Sequence, residues 1–79
     1  MNTAQQEYFS TSDLALASVL SLWFAVEGVD RQNPKRSQFL FAQNEQVEEK
    51  VRAYWHGELK VEPQQFFNQI RVLKTRLYE

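Results

Sequence analysis

From Leu14 to Trp23 the chain is apolar at nearly every position, and the small Ser18 and Ser21 are its only polar side chains. Leu16, Val19, Leu20 and Trp23 follow the i, i+3, i+4, i+7 spacing of one helix face, with Ala15 and Ala17 filling part of the rest. A helix apolar nearly all round has to be covered on more than one side, so this segment is predicted to be the central core helix, Trp23 included. Thr11-Ser12-Asp13 is its start signal: a Ser or Thr hydroxyl is expected to cap the helix, with Asp13 in the first turn near the positive end of the dipole.

The periodicity then changes. Phe24 to Val29 alternates as a strand would, and Gly28 within it suggests a bulge or a close backbone approach. Asn33-Pro34 marks a turn, and Ser37 to Ala42 reads as the returning strand with Phe39 and Phe41 on one face. The result is a β-hairpin with a basic tip, whose phenylalanine face should pack against the first and third helices. Short additional strands are expected at Tyr8–Ser10 and at Leu59–Val61.

Asn44 is a suitable N-cap for a second helix, with Val47, Val51 and Tyr54 as its buried stripe and Trp55 beside it. Gly57 occupies the position where a helix ends in a left-handed residue, and Pro63 opens a third helix at its first position. Phe66, Ile70, Leu73 and Leu77 form the apolar stripe of that helix, while Arg71, Lys74 and Arg76 crowd its end, where the dipole favours cations.

Thr11-Ser12-Asp13-Leu14-Ala15-Leu16-Ala17, Phe39-Leu40-Phe41, Tyr54-Trp55-His56-Gly57-Glu58, Pro63, Phe66-Phe67 and Leu73-Lys74 together carry a resemblance. The chain resembles a family of short single-domain proteins of unknown function from bacteria, archaea and phages, over about Ser10 to Tyr78. The shared residues are fold residues, so the resemblance implies one complete domain and brings no active site with it.

At 79 residues there is room for one domain. Residues 1–7 are predicted to be a flexible N-terminal tail and residues 8–79 a single α+β domain. Six Phe, three Tyr and two Trp supply the bulk a small core needs. With no cysteine there is no disulfide, thiolate metal site or thiol nucleophile, and a domain this small without such staples is expected in the reducing cytoplasm. No stretch is long and apolar enough to predict a membrane span, and no membrane or metal partner is expected.

Catalytic candidates are few. His56 is the single imidazole, and beside Gly57 it is better explained as a helix-end residue than as the base of a triad. Two glycines cannot build a phosphate loop, and the cluster of Glu45, Glu48 and Glu49 is explained by the positive end of a helix. The protein is therefore expected to be a binding module without a cofactor rather than an enzyme.

The formal charge of −1 conceals a segregation. Glu7, Asp13, Glu27 and Asp30 precede any Lys or Arg; Arg31, Lys35 and Arg36 then gather at the hairpin tip, and Arg71, Lys74 and Arg76 on the third helix. Phe67, Arg71, Lys74 and Tyr78 fall at i, i+4, i+7, i+11, an aromatic and basic stripe beside the apolar one, although Phe67 taken alone is more simply a core residue. Cations suit phosphates and aromatic faces suit unpaired bases, so Arg31, Lys35, Arg36, Arg71, Lys74 and Arg76 are the candidate nucleic-acid contacts. The alternative is a protein-interaction module, an adaptor or an inhibitor of a larger enzyme, with Trp55 and Tyr78 as anchors. Whether the two basic segments converge in space decides between them.

Overall fold

The computed structural model describes residues 7–78; most of the segment predicted to be a tail lies outside them. Six elements follow one another: β1 (Tyr8–Thr11), α1 (Leu14–Leu20), β2 (Gly28–Asp30), β3 (Gln38–Ala42), α2 (Glu45–Trp55) and α3 (Pro63–Leu77). The predicted α+β class is the observed one. β3 lies at the centre of a three-stranded antiparallel sheet in the order β1-β3-β2, so the short strand expected at Tyr8 closes one edge of the hairpin. Phe9 stands opposite Phe41, and both Thr11 and Val29 stand opposite Phe39. The Gln43 amide donates to the Glu7 carbonyl and extends the β1–β3 ladder by one bond.

The period-2 pattern puts Phe39 and Phe41 on the inner face, where both are fully buried. They meet Leu16, Ala17 and Leu20 of α1 and Leu73 of α3 in one cluster, with Val51 and Tyr54 of α2 packed on its margin. α1 is thus covered by the sheet on one side and by α3 and α2 on others, as its apolar circumference requires.

The start of α1 differs from the expected one. Asp13 is the cap: its carboxylate accepts from the Leu16 amide at 3.1 Å. The Thr11 hydroxyl acts one step earlier, accepting from the Asp13 amide and turning the chain into the helix. The helix also ends sooner. After Leu20 the bonds tighten to i→i−3, with Leu22 donating to Val19 and Trp23 to Leu20, and the Ser21 hydroxyl donates to the Ser18 carbonyl. Trp23 therefore leaves the buried stripe; it is 43% exposed, with the Lys50 ammonium 4.2 Å from its ring centre.

β2 is shorter than the alternation predicts. Phe24 and Val26 pack half-buried on the core while the chain crosses from α1, and only Gly28–Asp30 pairs as a strand. A Cβ on Gly28 would meet only Leu40 Cδ1, at an ordinary 3.9 Å, so no close approach explains this glycine. The expected strand at Leu59–Val61 does not form: those residues link α2 directly to Glu62, whose extended backbone and carboxylate are committed to capping α3.

The other helix signals act as expected. Asn44 caps α2 by accepting from the Val47 amide at 2.9 Å. Gly57 has φ 71°, and with Gly57 N–H on the Tyr54 carbonyl and Glu58 N–H on the Ala53 carbonyl it completes a Schellman motif. Pro63 opens α3 beneath the Glu62 cap.

Candidate nucleic-acid interface

The hairpin tip is shaped by its own side chains. The Asp30 carboxylate accepts from the Gln32 amide at 2.9 Å, and the Asn33 side chain accepts from the Lys35 amide at 3.0 Å. The Arg36 amide donates to the Asn33 carbonyl, closing a turn with Pro34 at its second position. These short loops fix the backbone from which Lys35 and Arg36 project, both exposed.

The tip does not stand free. The Arg31 guanidinium donates through Nη2 to the carbonyl oxygen of Arg76, 45 residues away, in the last turn of α3. That carbonyl lies in the last turn, beyond the reach of a regular i→i+4 helix bond, and a cation there also meets the negative end of the dipole. Close by, Ser12, Pro34, Lys35, Ser37, Leu77 and Tyr78 line a hollow of about 290 Å³. The two basic segments, remote in the chain, therefore adjoin.

They do not merge symmetrically. α3 contains Arg71, Lys74 and Arg76 and no carboxylate. At about 100° per residue, Phe67, Arg71, Lys74 and Tyr78 fall within an arc of about 60°, whereas Arg76 lies about 170° from its middle. Arg76 is half-buried; Arg71 and Lys74 are exposed. Arg31 and Arg76 thus belong to the junction, while Arg71 and Lys74 lie on a stripe that reaches Tyr78 and, across the hollow, Lys35.

The aromatic residues of this stripe face solvent. Phe67 is 60% exposed, against its simpler assignment to the core, and Tyr78 is 84% exposed. Its neighbour Phe66 is half-buried and tilted against Phe67, with ring centres 6.4 Å apart. Gln64, Phe67, Asn68 and Arg71 line a second hollow of about 460 Å³. Gln64 and Asn68 are additions to the sequence-based set; their i, i+4 spacing with one another beside Phe67 is the signal that could have found them. Trp55 is 64% exposed and stands edge-on to Tyr54, with ring centres 5.0 Å apart.

Among the described residues no group of three or more His, Cys, Asp or Glu side chains is placed to hold a metal ion, and no helix is long and apolar enough to cross a membrane. Neither the curated proteins nor the solved structures contain a match to this chain. A family model does match, across residues 6–79 and so over every element described above. The chain belongs to that family, the domain of unknown function DUF5659.

Proposed function

We propose that this domain is a small non-enzymatic module that contacts a nucleic-acid backbone, with Lys35 and Arg36 at the hairpin tip and Arg71 and Lys74 on α3 as its phosphate-binding side chains. The observation that carries this is the junction of tip and helix end, where Lys35 and Tyr78 line one hollow. It supports reading the two segments as one cationic track. Arg31 and Arg76 act in support, because the bond between them holds the tip against the helix. Phosphate contacts carry no base information, so binding is weak in sequence preference and strong in salt dependence. A cysteine-free chain suits the reducing cytoplasm, where such ligands are abundant.

The test is a gel shift with single- and double-stranded oligonucleotides at low and high salt. Wild-type protein should shift at low salt, and replacing Lys35 and Arg36 together by Glu should nearly abolish the shift while leaving the circular-dichroism spectrum unchanged. Absence of a shift with every oligonucleotide at low salt would refute the proposal.

A second reading rests on Trp55, a large exposed ring held edge-on by Tyr54. It makes the domain a protein-interaction module, an adaptor or an inhibitor of a larger enzyme, with Tyr78 as a second anchor. Under it, Trp55→Ala abolishes a partner complex without unfolding the domain, and nucleic acid does not bind.

A further inference from the structure

We infer that the outer face of α3 is a stacking platform for unpaired bases, so that the ligand is a single strand rather than a duplex. This deepens the proposed function and rests on it. Charge alone would serve either form of nucleic acid; what discriminates is the pair of exposed rings. A base inside a duplex has its faces occupied by its neighbours, whereas an unpaired base offers a π-face to any accessible aromatic side chain. Phe67 and Tyr78 are accessible; Phe67 lies within the same narrow arc of α3 as Arg71 and Lys74, and Tyr78, the C-cap residue, continues that line.

The order along the helix fits a strand. At about 1.5 Å per residue, Phe67 and Tyr78 stand roughly 16 Å apart along the axis, with Arg71 and Lys74 between them. A chain of alternating bases and phosphates meets ring, cation, cation and ring in that sequence. Beyond Tyr78 the track continues to Lys35 across the hollow that both line. Beside Phe67, the Gln64 and Asn68 amides offer donors and acceptors to the edge of a stacked base. The absence of any Asp or Glu in α3 removes the carboxylates that would repel the backbone.

Exposed phenylalanine and tyrosine on a basic helix could also meet a protein, but charge complementarity selects a polyanion. Stacking on the two rings and contact with phosphates are both tolerant of sequence, so a homopolymer is an adequate probe.

The experiment is fluorescence polarisation with labelled oligothymidine and with a labelled duplex of the same length, at low salt. The single strand should bind more tightly. Phe67→Ala and Tyr78→Ala should each weaken single-strand binding at least about fivefold, the lower end of what one stacked base contributes. Phe67→Trp should keep or improve the affinity. Val72→Ala, at a residue 48% exposed on the same helix but off the stripe, should leave it unchanged. Each alanine variant removes a solvent-facing side chain, and circular dichroism checks that every variant folds. Equal or tighter duplex binding, or single-strand affinity indifferent to Phe67→Ala, would overturn the platform while leaving backbone contact standing. Binding to neither probe would overturn both.

Discussion

The Arg31 guanidinium donates to the carbonyl oxygen of Arg76, and this one bond ties the tip of the β2–β3 hairpin to the last turn of α3. It satisfies a helix-end carbonyl and places a positive charge at the negative end of the dipole. Arg31→Ala should destabilise the domain by about 0.5–1 kcal/mol, most visibly as faster amide exchange in the last turn of α3. Equal exchange in the two proteins would mean that the tip is held by other contacts.

The Ser18 hydroxyl is buried in the middle of α1, and among the described residues no group hydrogen-bonds it. A buried polar atom without a partner costs stability, and alanine is the better helix former. Ser18→Ala should therefore stabilise by about 0.5–2 kcal/mol in chemical denaturation. A loss of about 1 kcal/mol or more would reveal a partner for that hydroxyl.

Gly57 has φ 71°, and a Cβ there would find nothing within 4 Å. The cost of Gly57→Ala is then backbone strain alone, about 1 kcal/mol, read as a shift in denaturation midpoint without a change in slope. A neutral substitution would mean that the end of α2 rearranges at no cost.

The Tyr54 phenol is pushed above the ordinary tyrosine range, first by burial and then by the negative charge of Asp13 and a hydrogen bond to it. A raised folded-state value favours folding below the unfolded value, about 10, and that stability is lost as pH rises through the folded value. The ultraviolet titration of wild type minus that of Tyr54→Phe isolates this phenol. It should ionise above the ordinary value, and stability should decline above about pH 10 in wild type more than in the variant. Ionisation below the ordinary value would contradict the packing of Tyr54 on Asp13.

Elements whose signals are local were legible in the chain. Asn44 and Gly57 act through bonds to residues at most a few positions away, Pro63 through its own fixed φ, and Phe39 and Phe41 follow the strand period to the buried face. Where two local groups compete, the outcome was not legible: Thr11 and Asp13 both reach backbone amides, and their division of roles depends on the exact path of the turn. Trp23 carried the right spacing for α1, but the tightening after Leu20 rotated it outward. Leu59 and Val61 alternate like a strand, yet they lie between the α2 Schellman motif and the Glu62 cap, which already determine the path of the link. Among the candidate contacts, the cations were visible as two clusters, whereas their meeting was not. The Arg31–Arg76 bond spans 45 residues and depends on how the hairpin lies against α3. Phe67 shows the same limit: spacing alone leaves both burial and exposure open to it, and it is 60% exposed.

The central claim is that Lys35, Arg36, Arg71 and Lys74 form one phosphate-binding track, and the salt dependence of single-strand affinity tests it most directly. Four contacts should give a log–log slope of roughly −3, and Lys35→Glu with Arg36→Glu should reduce its magnitude by at least half. A slope near zero, or one that the double variant leaves unchanged, would contradict the account.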